Sequence, residues 1–477
     1  MNRLLLAMIG LLGFCLHATP LSAQTRRPNV IVILADDLGY SDLGVQGGKD
    51  IPTPNIDSIA KSGVRCTQSY VSCPYCSPTR AGLNTGRYQT RFGHEFNEPA
   101  ADQRENFGLP LSEKTIADRM KALGYATGAI GKWHLGYSAS RRPMARGYDE
   151  FFGTLGNTPF FHPTNFVDSR KSAEVQPITD DSFYTTDAYG ERAEQFITAH
   201  KDHPFLLYLP FNAQHVPSQA PQKYLDRFPN IADEGRKLYA GMLASFDDAV
   251  GRVLKNLRDH GLEDNTLIFF MSDNGGPITK MGGNGSINRP LKGQKGDTWE
   301  GGIHVPLFVQ WKSRLPAGKV YDQPVISLDI LPTSVAAAGT EIGTDWQLDG
   351  VNLLPHLLGR STAAPHDALY WRFGPQWAIR QGNWKLVSGF DYVANNTPDP
   401  LAPPVANPPP APPQPHLVKV TAPQLYNLAD DPGETKDLAS AQPDRVAALK
   451  AAWDKWNHQN KDPAWVPNPN PAKAKAK

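Results

Sequence analysis

The stretch NVIVILADD, residues 29–37, decides the fold class: Val30 to Ala35 are all apolar, and the run ends on the paired carboxylates Asp36 and Asp37. An apolar run this short suits a strand buried on both faces, as in a parallel sheet covered by helices on each side. Three further runs share its grammar. Ala126 to Ile130 is followed by Gly131-Lys132-Trp133-His134, Phe205 to Phe211 by Asn212-Ala213-Gln214-His215, and Thr266 to Met271 by Ser272-Asp273-Asn274-Gly275-Gly276. One polar cluster after a strand is ordinary loop chemistry. Four of them, carrying Asp, Lys and His, fit the crevice at the carboxyl edge of an α/β sheet, where ligands bind.

Helical patterns lie between the runs. Ser112 can cap a helix that contains Ile116, Met120 and Leu123 and ends at Gly124. Leu243, Phe246, Val250, Leu254 and Leu257 fall at helical spacing, as do Val446, Leu449, Trp453 and Trp456, and both stripes read as core. A second region starts near 335–345. There residues 368–388 alternate around several Trp, which predicts antiparallel strands, and Leu425 to Leu428 resumes that sheet. Ten of the 18 residues from Pro398 to Pro415 are proline, a polyproline-like surface excursion, and 461–477 reads as a loose tail.

Composition narrows the class. A length of 477 exceeds what one compact core usually takes, so a large domain plus a smaller one is expected. The 10 Trp, 16 Tyr and 20 Phe exclude a wholly disordered chain. With 48 basic and 47 acidic side chains, no charge bias points to nucleic acid or an anionic membrane as the main partner. The apolar runs are too short for a membrane-spanning helix. Residues 1–23 read as a secretory signal: Arg3, the apolar stretch Leu4 to Leu16, and small Ser22-Ala23 at the cut. Its removal leaves Cys66, Cys73 and Cys76, too few for a disulfide scaffold, in a chain expected in the periplasm or secreted.

The sharpest chemical signal is CSPTRAGLNTGR, residues 76–87. Pro78 suits the first turn of a helix and Gly86 its end. Cys76 then stands at a helix N-terminus, where backbone N–H groups favour negative charge. Such a Cys is either a low-pKa nucleophile or, in an oxidising compartment, a disulfide partner of Cys66 or Cys73. The residues alone leave both readings open.

This segment resembles the signature of the type I sulfatases, Cys-x-Pro-Ser/Ala-Arg followed by Leu-x-Thr-Gly-Arg, with Thr79 where Ser or Ala is usual. Other matching segments follow in order: Asp36-Asp37, Gly131 to Gly136, His215, Asp273 to Gly276 and Lys292, with weaker ones at Asp349-Gly350 and Leu425 to Leu438. His304 stands where Arg is frequent. The resemblance implies an alkaline-phosphatase-like α/β fold: a large mixed, mostly parallel sheet sandwiched by helices, with a smaller C-terminal α+β domain of antiparallel sheet plus helix. The implied division is a catalytic domain over 24–340 and a C-terminal subdomain over 341–460.

It also implies a sulfuric ester hydrolase whose Cys76 is converted to formylglycine (3-oxoalanine) by a formylglycine-generating enzyme before folding. Asp36, Asp37, Asp273 and Asn274, with the modified Cys76, would hold one Ca²⁺, which takes about 6–8 oxygen ligands. Arg80, one helical turn from Cys76, would support the hydrated aldehyde, while Lys132 and Lys292 would clamp the sulfate. His215, alone or with Lys292, would protonate the leaving alcohol, and His134 would take the proton from the second hydroxyl, which an ordinary Ser lacks. With Cys76 converted, Cys66 and Cys73 are free to pair.

Substrate identity is less legible. Export suggests a sulfated mono-, oligo- or polysaccharide, and Arg91 to Asn97 (RFGHEFN) resembles bacterial carbohydrate sulfatases similar to N-acetylgalactosamine-6-sulfatase and galactose sulfatases. His94, Trp371 and Arg372, with the loop Asn157 to Asn165, are the candidate sugar contacts. Two rival readings are a phosphonate or phosphodiester hydrolase of the same superfamily and a non-catalytic glycan-binding relative.

Overall fold

The computed structural model describes residues 26–99, 104–278, 283–390 and 419–466. The proposed signal, 1–23, and the proline-rich stretch, 398–415, lie outside them. Among the described residues no helix is long and apolar enough to cross a membrane.

In chain order the strands are β1 (Asn29–Ala35), β2 (Val64–Cys66), β3 (Ser69–Tyr70), β4 (Ala126–Lys132), β5 (Glu150–Thr154), β6 (Phe166–Asp168), β7 (Phe205–Pro210), β8 (Thr266–Ser272), β9 (Leu307–Gln310), β10 (Lys319–Tyr321), β11 (Val325–Ile326), β12 (Leu369–Phe373), β13 (Gln376–Gln381), β14 (Trp384–Ser388) and β15 (Gln424–Asn427). Nine of them form one mixed, mostly parallel sheet in the order β10-β2-β9-β8-β1-β7-β4-β5-β6. The four apolar runs are its neighbouring parallel strands β8, β1, β7 and β4. All seven residues of β1 are buried because the two faces meet different layers. Val30, Val32 and Leu34 join one apolar cluster, and Ile31, Ile33 and Ala35 join the other. The helices Pro54–Lys61, Thr185–Ala199 and Glu234–Asp259 cover the second face, while Cys76–Thr85, Ile116–Ala122 and Ile330–Ala337 cover the first.

Two sequence expectations need correction here. The Ile116–Ala122 helix is capped by Thr115 rather than Ser112: the Thr115 side chain accepts the Asp118 N–H, and the Asp118 carboxylate accepts the Thr115 N–H, a reciprocal box that Ser112 lies too far upstream to make. Nor are 461–466 loose. Lys461 N–H donates to Thr90 O at 2.9 Å, Ala464 N–H to Gly93 O at 2.8 Å, and Trp465 is buried.

The smaller sheet is antiparallel, β12-β13-β14-β15. The Pro443–Asn457 helix covers it, with Trp456 stacked on Tyr370 at 5.0 Å and Trp453 against Trp377 at 4.8 Å. A buried ion cluster ties this sheet to the short helix Glu300–Ile303 that precedes β9: Lys385 Nζ lies 2.8 Å from Glu300 and 2.9 Å from Glu434.

Candidate active site

Because β8, β1, β7 and β4 are parallel neighbours, their carboxyl ends open on one place. Asp36 and Asp37 follow β1, Asp273 and Asn274 follow β8, Lys132 closes β4 with His134 just beyond, and His215 follows β7. Gly131 lets β4 approach β7: a Cβ there would lie 1.8 Å from Pro210 O, and its φ is +131°. Asp37 and His134 adopt left-handed backbone, φ 65° and 57°, a conformation that costs non-glycine residues free energy and tends to gather at functional sites.

The nucleophile candidate comes from a different element. Cys76 begins the Cys76–Thr85 helix, which ends on Gly86 at φ 68°. Thr79, the departure from the signature, is buried and donates its hydroxyl to Cys73 O at 2.5 Å. One turn past Cys76, Arg80 reaches Asp273 through Nε and Nη2 at 3.0 and 2.8 Å, approaches Asp36 at 3.4 Å, and donates from Nη1 to Lys132 O at 2.7 Å. Asp36, Asp37 and Asp273 bring one carboxylate oxygen each within 4.8 Å of one another, and Asp36, Cys76 and His215 form a second such group. Asn274 donates to Asp37 at 2.7 Å. The oxygens Asp36 Oδ1 and Asn274 Oδ1 are buried with no hydrogen-bond partner.

Electrostatics follow from crowding three carboxylates against cations in a dry site. Burial alone would raise the Asp36 carboxyl, but Lys132, His215 and Arg80 hold it well below the carboxylate range. Asp273, with Asp36 and Asp37 beside it, is instead pushed up to about 7, by burial first. Burial, then Lys132 and Arg80, keep His134 neutral, and burial with Lys295 and Lys132 lowers His215 to about 4. Burial also pushes the Cys76 thiol up to about 11, against the pull of Lys295 and Lys132. Of the two readings open for Cys76, the low-pKa nucleophile is disfavoured: desolvation, with Asp36 and Asp273 adjacent, raises the thiol. Cys66 and Cys73 are buried free thiols, so the pairing considered for them is absent.

Lys292 is not in this site. Its ammonium lies 3.7 Å from the Trp299 ring centre and donates to Glu434 O, facing the smaller sheet. The second site lysine is Lys295, which sequence reading missed. Its Nζ binds Asp37 at 2.7 and 2.9 Å and lies over Tyr75, the residue before Cys76. The two lysines share one glycine-bracketed loop, and no spacing rule separates them. What separates them is Gly296 N–H, which donates to Pro74 O at 2.8 Å and docks the 295 end on the Cys76 segment.

The three candidate sugar contacts are all engaged in contacts within the chain. Trp371 is fully buried, its indole N–H on Val71 O at 2.7 Å. Arg372 is an internal clamp, 2.6 Å from Glu95 and bonded to Asn457 and Lys461 O. His94 is buried, 2.6 Å from Ser77 Oγ and edge-on to Trp465. In the Asn157 to Asn165 loop, Phe160 is core while His162 is exposed.

Comparison with known proteins places these features in a lineage. Residues 28–340 match the family model described as Sulfatase. Arylsulfatase J of Mus musculus is 32% identical, with 91% of this chain and 77% of that protein covered. N-acetylgalactosamine-6-sulfatase of Homo sapiens is 30% identical, with 90% and 84% covered. The crystal structure of Ps i-CgsB in complex with k-i-k-neocarrahexaose superposes with a TM-score of 0.79 at 34% identity, covering 94% of this chain and 96% of that one.

Proposed function

The chain belongs to the sulfatase family and is a sulfuric ester hydrolase; from that premise we propose that it is an exported enzyme that removes sulfate from a carbohydrate of galactose or N-acetylgalactosamine type, using formylglycine made from Cys76 and one Ca²⁺. The relatives support the carbohydrate: one is named for N-acetylgalactosamine 6-sulfate, and another was crystallised with a neocarrahexaose. The observation that carries the mechanism is the pair of orphaned buried oxygens, Asp36 Oδ1 and Asn274 Oδ1, in a cluster of hard oxygen donors that also holds Asp37 and Asp273. Such atoms are costly unless something binds them, and a divalent cation with oxygen preference fits. The bound cation would neutralise charge on a sulfate oxygen, and the formylglycine hydrate would supply a hydroxyl nucleophile with a second hydroxyl in reserve.

The remaining roles belong to the chain. Lys132 and Lys295 flank the acidic cluster and are the groups that would meet the outer sulfate oxygens, where charge accumulates at the transition state. Arg80 fixes Asp273 and ties it to the β4 end, so the ligand set and Lys132 move as one body. His215 delivers the proton to the leaving alcohol. It is neutral beside two lysines, and the negative charge of an incoming ester offsets them, shifting the ring toward the protonated form it needs. His134, with Nδ1 unpartnered, accepts the proton from residue 76 that lets sulfate depart.

The test is sulfate release from defined sulfated mono- and disaccharides that vary sugar and position, with an aryl phosphodiester as off-class control. The enzyme is co-expressed with a formylglycine-generating enzyme. Trypsin cleaves after Arg65 and Arg80, so one peptide holds Cys66, Cys73 and Cys76 and its mass reports conversion. Release from one sugar and position, with Cys76→Ser folded but inactive, is expected. Faster cleavage of the phosphodiester than of every sulfate, or near wild-type turnover by Cys76→Ser, would overturn the reading.

A further inference from the structure

The RFGHEFN stretch contains a buried polar chain behind the nucleophile position. His94 Nε2 lies 2.6 Å from Ser77 Oγ, Ser77 Oγ lies 2.7 Å from Glu98 Oε2, and Glu98 Oε1 accepts the Gly136 N–H at 3.0 Å. Asn97 Oδ1 accepts the Ser77 N–H at 3.0 Å, so the same loop also caps the helix. Of these four side chains His94, Ser77 and Glu98 are buried, and their polar atoms are turned on one another. The two ends of the chain are informative. Ser77 follows Cys76, and Gly136 lies two residues past His134.

We infer that Glu98 is a positioning residue that locks the start of the Cys76 helix to the His134 loop, setting the distance between the nucleophile and its proton acceptor. The inference rests on the sulfatase reading of Cys76 and His134. The need for such a lock is visible at His134 itself. Its Nδ1 has no hydrogen-bond partner, so no contact at that atom orients the ring, and the residue is held through backbone: its own N–H on Leu155 O at 3.0 Å and the Gly136 N–H on Glu98. A left-handed φ of 57° costs the non-glycine His134 free energy, so this short turn needs holding.

The donor order follows the charge on Glu98. Burial pushes the His94 ring down to about 3, so it is neutral, and when Glu98 is ionised and takes the Ser77 hydroxyl proton, His94 donates from Nε2 to Ser77 Oγ. The Ser77 hydroxyl then donates to Glu98, whose other oxygen receives Gly136. A Gln at 98 can serve the same two contacts: its oxygen accepts Gly136 N–H, its amide donates to Ser77, and the Ser77 hydroxyl turns to a His94 ring protonated on Nδ1 instead. An Ala can serve neither.

The experiment compares wild type, Glu98→Ala and Glu98→Gln by steady-state kinetics and by amide hydrogen exchange without substrate. Glu98→Ala should lower kcat by about 10–100-fold with KM within about threefold, since misplacing reacting groups by about 1 Å costs on that order. Glu98→Gln should recover kcat to within about threefold of wild type. In Glu98→Ala, protection should fall together at Gly136 and at the first turn of the Cys76–Thr85 helix. Loss of activity only in proportion to loss of folded protein, equal kcat for the Ala and Gln variants, or exchange rising at Gly136 alone would overturn the lock. If wild type released no sulfate, the substrate reading would fail, while the exchange result would still decide the lock.

Discussion

At the scale of single residues, Lys292 and Lys295 show how one loop divides its labour. Lys295 is bound to Asp37 and faces the nucleophile; Lys292 sits on an aromatic ring and the carbonyl of Glu434. Lys295→Ala should reduce kcat/KM by about 10²–10³-fold, the range for losing one group that stabilises developing charge. Lys292→Ala should leave kcat/KM within about threefold and show its effect in thermal stability. Measuring both variants on one sulfate ester checks the assignment, and a larger kinetic loss at 292 would reverse it. Asp36, Asp37, Asp273, Asn274, Lys132, His134 and His215 were legible in the sequence because each follows a recognisable apolar strand, and a strand end is a place. Arg80 was legible because one helical turn fixes it relative to Cys76. Lys295, His94, Trp371 and Arg372 were not, because they lie on loops or on the far sheet, where side-chain direction depends on contacts between residues distant in the chain. Arg372, for instance, is held by Glu95, 277 residues earlier.

At the scale of elements, the strands declared themselves through hydrophobic runs and Gly86 marked the end of the Cys76 helix, whereas the start of the Ile116–Ala122 helix did not declare itself. Ser112 and Thr115 are both good capping residues three positions apart, and the choice is made by Asp118, which reaches back to Thr115. Thr115 also donates its hydroxyl to Arg146 O at 2.8 Å, so it pins the helix to the neighbouring turn. Thr115→Ala should therefore cost about 1–2 kcal/mol in urea unfolding. Ser112→Ala should change stability by less than about 0.5 kcal/mol. The reverse order of effects would return the cap to Ser112. The small antiparallel sheet was legible by its alternation, with Trp371 and Phe373 turned inward and Tyr370 and Arg372 half-buried between them. The alternation could name the inward residues; it could not say that the inward face was a core rather than a pocket.

At the scale of the whole molecule, distant parts of the chain converge behind the nucleophile helix, and this convergence titrates. His94 is held neutral down to about pH 3, against 6.5 for a free ring, so below 6.5 the unfolded chain binds a proton there that the native protein refuses, and stability falls as pH drops. Glu98 works in the opposite sense. Burial raises it to about 7, so on acidification the native carboxyl takes its proton before the unfolded one does near 4.5, and stability rises over that window. In wild type the two effects oppose each other. His94→Gln removes the destabilising one, so relative to wild type the variant should gain about 2 kcal/mol between pH 7 and pH 5. Urea midpoints of both proteins at the two pH values measure this, and parallel shifts would refute it. The sheet order has a further consequence, for the time course of biosynthesis. β1 stands between β7 and β8, and β8 is completed only at Ser272, nearly two hundred residues after Cys76. At about 5–20 residues per second the Cys76 segment waits about 10–40 s on the ribosome before the central strands that will enclose it have all been translated. Strand order in the sheet thus acts as a clock, holding that segment open to any enzyme that must read it as an extended peptide.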